Sequence, residues 1–293
     1  VSDTGLSLKQ LAKRNRRARR NLALKLSLEK TFLPEIRRYF NRIAREISIQ
    51  VAEGGRPSLD TEISNQTVEL LSVQYRRVAR AFQNEMRLFL SEKSTIGAFE
   101  IKQEEQDEKN TEAVAMAVGV FIGIQSRERS SVINQTTQSE IEQVTTETVA
   151  EELAAGNPIT GAVFATVLAN KLRQKFSSRF NTIALTETQF SSEKVKQIEA
   201  AIIGRADDVS PTSAGASELI TGRVRGEPST TKEWAAILDQ VTRIAHVIAD
   251  GQKRPINDPF NVDSELLMEP GDPSLGASAG NLINCRCSAL YTI

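Results

Sequence analysis

A chain of 293 residues can hold one large domain or two ordinary ones and can bury a core. Hydrophobic residues at 40% and charged residues at 25% are ordinary for globular protein and argue against disorder. Aromatics at 5% leave Leu, Ile, Val and Ala to build the core, which favours helices over a β-sandwich or barrel.

The 37 basic and 37 acidic residues cancel, so net charge names no partner. The distribution says more. Residues 1–50 carry 13 Lys and Arg against 4 Asp and Glu, a basic arm suited to nucleic acid or an acidic protein surface. Within it, Lys13, Arg14, Arg16, Arg17, Arg19 and Arg20 crowd into one short stretch of helix. Charges so placed wrap around the helix, so the segment is expected to avoid deep burial. It reads either as a solvated helix or as a contact for DNA phosphates, whose binding would weaken steeply with salt.

Leu6 to Lys30 is rich in helix formers, and Pro34 suits the first position of a second helix. Ile36, Phe40, Ile43, Ile47 and Val51 then recur at helical spacing until Gly54, Gly55 and Pro57. A longer helix follows, with Leu71, Tyr75, Val78, Phe82, Met86 and Phe89 on one stripe. Residues 100–112 are dense in charge and read as a solvated helix end or linker.

Helices are predicted over 112–128 and 131–155, then over 158–178 and 179–204, with Gly156-Asn157-Pro158 supplying a stop, a cap and a start. The apolar run Ala113–Ile124 falls short of the roughly 20 residues that span a bilayer, so it reads as a buried helix. No membrane partner is expected, and the N-terminal residues show no signal-peptide pattern.

Residues 206–231 are rich in Ser, Thr, Gly and Pro, which predicts a long loop. Residues 232–293 mix short apolar runs with Pro255, Pro259, Pro270, Gly271 and Pro273, the texture of a small β-containing module. The expected fold is mainly α. A long-helix N-terminal region (1–110) and a helical bundle region (111–205) precede the loop and a small irregular α+β C-terminal module.

That module carries the most specific pattern. It reads Lys232-Glu233-Trp234-Ala235, then Asp239, Arg243 and His246, then Asp250-Gly251-Gln252. Glu269-Pro270-Gly271-Asp272-Pro273 and Asn284-Cys285-Arg286-Cys287 close it. In order and spacing this set resembles the C-terminal module of the Mu F-like minor head, or head-morphogenesis, family of tailed bacteriophages. That family shows a Trp strand, an Asp…Arg…His segment, a Gly turn, a Pro-Gly-Asp loop and a terminal Asn-Cys-Arg-Cys.

Upstream, Leu153 to Pro158 and Arg179 to Gln189 look like the helical part of the same family, with Leu185 standing where Arg is common. The match covers roughly residues 150–293. The resemblance implies a structural head protein of the virion, in the head interior or at or near the portal vertex, made in the bacterial cytoplasm. Its partners would be the portal protein, the major capsid protein or packaged double-stranded DNA, and its role head assembly, DNA packaging or ejection.

The two cysteines exclude a disulfide scaffold and suit a reducing setting. On a strand, Cys285 and Cys287 would project from one face. With His246, the only histidine, they would supply three ligands for a structural zinc, with Asp239, Asp250 or Asp272 as a fourth. The bland reading makes the cysteines small buried apolar residues and His246 a hydrogen-bonded core histidine, with no cofactor required.

Arg243 and Arg286 are expected to staple the module by pairing with Asp239, Asp250 or Asp272, and Trp234 is expected in its core. An enzyme, such as a toxin-like domain joined to a head-protein module, is disfavoured. A single His, no phosphate loop and no zinc-protease motif leave little for catalysis, with Glu187 the one acidic candidate. A nucleic-acid-binding protein acting through the basic helix is the alternative.

Overall fold

In the computed structural model, residues 8–93, 100–204 and 230–292 are described, with side chains at 12–85, 110–204 and 230–292. Residues 206–229 of the loop predicted over 206–231, and the stripe positions Met86 and Phe89, lie outside the described residues; Thr231, at the loop's expected end, already opens a strand. Four long helices come first: α1 (Leu8–Ala52), α2 (Thr61–Lys93), α3 (Glu100–Ala154) and α4 (Gly161–Ile203). The remainder is β1 (Thr231–Ala235), α5 (Ile244–Ala249), β2 (Lys253–Pro255), β3 (Phe260–Val262), β4 (Glu265–Leu267), α6 (Ala279–Leu282) and β5 (Ser288–Thr292). The fold is mainly α with a small α+β C-terminal module, as expected.

Three predicted breaks are not there. Pro34 lies inside α1, where it removes one backbone bond at a cost of about 3 kcal/mol. Phe32 and Ile36 on either side are fully buried with Tyr39 and Phe40 in one core, and that packing keeps the helix continuous. The stretches near Ser130 and Ser177 contain no Pro or Gly. Their serine hydroxyls turn back onto the helix itself, Ser130 to the Arg127 carbonyl at 2.9 Å and Ser177 to that of Gln174 at 2.7 Å. Residues 100–112 continue α3, and so the expected boundary at 110/111 falls within a helix.

The predicted stops at glycine do hold. Gly54 and Gly156 have φ of +85° and +73°. Gly54 N–H bonds the Val51 carbonyl and Gly55 N–H that of Gln50, while Gly156 bonds Leu153 and Asn157 bonds Glu152. Each is the paired 5→2 and 6→1 closure of a helix end. Asp60 opens α2 by accepting the Ile63 N–H at 2.8 Å.

The chain packs as two compact units. One comprises Glu29–Gln74 and Ile124–Ala184, around Phe32, Ile36, Phe40, Ile43, Leu71, Ile141, Phe164, Leu172, Phe176 and Phe180. The other comprises Val1–Leu28, Tyr75–Gly123 and Leu185–Ile293. Its core joins Tyr75, Val78 and Phe82 of α2, Val114, Val118 and Phe121 of α3, and Phe190, Val195 and Ile198 of α4 to the C-terminal module. The run Ala113–Ile124 is therefore a buried helical segment at Ala113, Val114, Ala117, Val118 and Phe121, as its composition predicts.

The module holds a three-stranded antiparallel sheet, order β2-β1-β5, and the hairpin β3-β4. Trp234 lies opposite Ala289 in the β1-β5 register. The hairpin turns on Asp263 and Ser264, both at positive φ, the handedness that a two-residue hairpin loop requires.

Among the described residues, no strand pairs with the outer edge of β5. Side chains satisfy it instead. Glu193 accepts the Ala289 N–H at 2.8 Å, Lys196 donates to the Ala289 carbonyl, Arg17 to that of Tyr291 and Lys25 to that of Cys287. This accounts for the buried, polar C-terminal half of α4: its charges stand in for a neighbouring strand.

A candidate metal centre in the C-terminal module

β1 places Trp234 at the centre of the module, fully buried, edge-on to the rings of His246 (5.5 Å) and Phe260 (5.3 Å). This is the core role expected of it. The short helix α5 presents His246 inward against the edge of the Trp ring. The Asn284-Cys285-Arg286-Cys287 stretch then leads into β5. Asn284 takes φ +56°, and the two cysteines lie just ahead of the strand rather than on it.

Both sulfurs converge on one imidazole nitrogen. Cys287 Sγ lies 3.4 Å and Cys285 Sγ 3.8 Å from His246 Nδ1, and the three ligand atoms fall within 4.8 Å of one another. Tetrahedral zinc with its usual bond lengths places S and N about 3.6 Å apart. The observed separations bracket that value.

The protonation pattern also suits a metal. The Asn281 amide donates through Nδ2 to Glu265 Oε2 (2.8 Å) and to the Val262 carbonyl (3.3 Å). Its Oδ1 is thereby turned to accept from His246 Nε2 at 3.2 Å. With the proton on Nε2, the Nδ1 lone pair faces the sulfurs. A metal-ligating histidine characteristically has its second nitrogen tied down in this way. The interaction with Cys287 pulls the Cys285 thiol well below its ordinary range, against the effect of burial. The interaction with Cys285, together with burial, pushes the Cys287 thiol well above it.

His246, Cys285 and Cys287 are thus a group able to hold a metal ion. The expected fourth ligand is not among the three aspartates, which are engaged elsewhere. Asp239 takes bonds from Arg286 Nη2 (2.8 Å), Thr242 and the Val241 N–H. Asp250 accepts from Arg14 Nη2 (2.6 Å) and the Ala236 N–H (2.8 Å), and Asp272 from the Ser274 N–H and hydroxyl.

Of the expected staples, Arg286–Asp239 forms. Among the described residues Arg243 pairs with none of the expected aspartates; its Nη2 donates instead to the Ile283 carbonyl at 2.5 Å. Gly251, at φ +79°, returns its N–H to the Trp234 carbonyl at 2.8 Å.

The basic helix needs a further correction. Arg14 is buried, bonded to Glu233, to Asp250 and to the Trp234 carbonyl. Arg17 reaches the Tyr291 carbonyl, and Arg20 lies 3.2 Å from Glu85. Two cations of the run clamp the module, because the helix presents one edge to its sheet and guanidinium groups can satisfy carbonyls and carboxylates there. Lys13, Arg16 and Arg19 stay exposed.

Sequence reasoning missed Lys25, Gln189, Glu193, Lys196, Asn281 and Glu265. Lys25 Nζ touches Gln189 Oε1, Glu193 Oε1 and Ser288 Oγ within 3.0 Å, all buried. No sequence signal marks them, since a Ser-Ser-Glu-Lys-Val-Lys stretch reads as a solvated helix face. Glu187 is buried and accepts the Tyr75 hydroxyl at 2.5 Å.

No protein-family model, no curated protein and no solved structure matches the chain. Among the described residues no helix is long and apolar enough to cross a membrane.

Proposed function

We propose that the chain is a structural minor head protein of a tailed bacteriophage, non-enzymatic, acting at or near the portal vertex in head assembly, DNA packaging or ejection. One observation carries the reading. The residues on which the resemblance to the Mu F-like family rests, though spread from position 234 to 287, are built into one module: Trp234, His246, Asp250, Gly251, Asp272, Cys285 and Cys287. Trp234 touches His246, His246 faces both cysteines, Gly251 closes onto Trp234, and Gln189 bonds the carbonyls of Pro270 and Cys287. A set that co-operates spatially is hard to produce by accidental similarity of short motifs.

In this proposal a structural zinc held by His246, Cys285 and Cys287 fastens the module. Three protein ligands converging on one corner of a module this small would add folding free energy that its core alone supplies poorly. Chelation of the full chain is expected to lower its melting temperature, and Cys285→Ser to abolish that response. Unchanged melting after chelation of a metal-loaded sample would remove the zinc.

The head-protein reading is tested by mass spectrometry of gradient-purified phage heads, counting the chain against the portal protein. A few to a dozen or so copies per head is the expected result. Absence from heads at every assembly stage would overturn it. The exposed Lys13, Arg16 and Arg19 favour packaged DNA as one partner.

A further inference from the structure

We infer that the exposed face of α5, with the turn before it, is the contact surface for a second copy of this chain, packed about a two-fold axis. The inference depends on neither the zinc reading nor the head-protein reading.

Helix α5 is amphipathic the wrong way round. A surface helix ordinarily turns its apolar stripe to the core and its polar side chains to water. Here the buried residues are His246 and Ala249, and the outward ones are Ile244, Val247 and Ile248. These three follow at i, i+3 and i+4, so they share one side of the helix. Ile244 and Ile248 are 79% and 78% exposed, and Val241, in the turn ahead of the helix, is 71% exposed. Leu238 opens the stretch, half exposed and with φ +59°. That backbone conformation suits glycine or asparagine and is strained for a bulky side chain. Strain of this kind persists at functional positions, and at Leu238 it holds an aliphatic group in water.

Among the described residues fifteen large apolar side chains are exposed, and five of them fall between Leu238 and Ile248. No other stretch of eleven residues holds more than two. At their exposures the five leave roughly 500 Å² open, within the range of the largest apolar patch on a typical monomer. Two copies face to face would bury roughly 1,000 Å² from these side chains alone, the area that a specific interface must clear.

Charge selects the occupant. Between Leu238 and Ile248 only Asp239 and Arg243 are charged, one of each sign. A two-fold contact sets like faces together, which an apolar and electrically balanced face permits and a charged one opposes. The same balance offers no field to draw in a strongly charged partner such as nucleic acid.

The test is sedimentation equilibrium of the full chain over a concentration series, with a thiol reductant present so that no disulfide joins the copies. A reversible dimer is expected, and its dissociation constant should be nearly the same at low and high salt, because the contact is apolar. The variant I244S/I248S should weaken the dimer about tenfold or more, since it removes the centre of the face. V163S, at a position 75% exposed on α4, should leave it unchanged. The melting temperature of dilute I244S/I248S should equal the parent's, because exposed positions tolerate serine. V241S/V247S makes the same test on the other side chains of the face and decides the matter if the first pair fails to fold.

A chain that stays monomeric at every concentration would overturn the inference, as would one that assembles past two copies. So would a dimer that the serine variants leave as tight as before. A lower melting temperature for the dilute variant would mean that the chain covers these residues itself, and would overturn the inference too.

Discussion

Glu193 shows how much one buried carboxylate can organise. It receives the Lys25 ammonium at 2.5 Å, that of Lys196 at 2.8 Å and the Ala289 N–H at 2.8 Å. Burial opposes its ionisation, but the two ammonium groups win and hold it below the usual carboxylate range. Glu193→Ala would leave two buried cations and a backbone N–H without their acceptor, and is expected to cost about 3–5 kcal/mol in denaturant unfolding. Lys196 faces the opposite balance. Burial pushes it down to about 7, against the pull of Glu193. The unfolded chain keeps that proton up to about 10.5, so between the two values the unfolded state binds more protons. The contribution of Lys196 to stability is therefore least favourable below about pH 7 and improves as pH rises toward 10.5. Lys196→Met should flatten that rise in a plot of unfolding midpoint against pH, and a slope identical to the parent would refute the assignment. None of this was readable in sequence, because a charged residue on a helix is expected to face water.

At the scale of elements, the caps and the turns were the legible part, and the breaks were not. Gly54, Gly156 and Asp60 act locally, through their own φ or a carboxylate that accepts an N–H three residues on, so their residue types suffice to foretell them. Pro34 had to be weighed against Phe32, Ile36, Tyr39 and Phe40, whose partners come from distant segments. Gly271 belongs to the first kind but has a tertiary duty as well. It sits at φ +87°, and a Cβ there would meet Gln189 Cγ at 3.0 Å. Gln189 is the side chain that bonds the Pro270 and Cys287 carbonyls. Gly271→Ala is thus expected to destabilise the protein by about 1–3 kcal/mol, read as a lower denaturation midpoint. It should also weaken Co²⁺ binding, because Cys287 shares that network, whereas Gly276→Ala, with open space around it and a similar φ, should leave metal binding untouched.

Across the whole molecule, charge is divided between two tasks that the sequence presents as one run. Arg14 and Arg17 are committed to the C-terminal module, while Lys13, Arg16 and Arg19 remain exposed. If DNA is a partner, replacing those three by Ala should reduce the slope of log affinity against log salt by roughly 0.9 for every phosphate that they neutralise. Arg14→Ala should instead unfold the protein more easily without that clean change in slope. Filter binding over a salt series, beside a melting curve, separates the two, and an unchanged slope in the triple variant would exclude phosphate binding by these residues.

The sequence by itself determined the helical class, the amphipathic stripes of α1 and α2, the glycine stops, the small C-terminal module and the residues that could ligate a metal. Those properties follow from local periodicity, backbone preference and side-chain chemistry, each contained within a few consecutive residues. Only the tertiary structure decided that four uninterrupted helices each contribute to two cores. It also decided that the polar end of α4 is buried against the open edge of β5, and that Asn281 sets the tautomer of His246. These depend on groups far apart in the chain whose desolvation is offset only by one another. A buried charge and a solvated one are spelled with the same letter until its partner is in place.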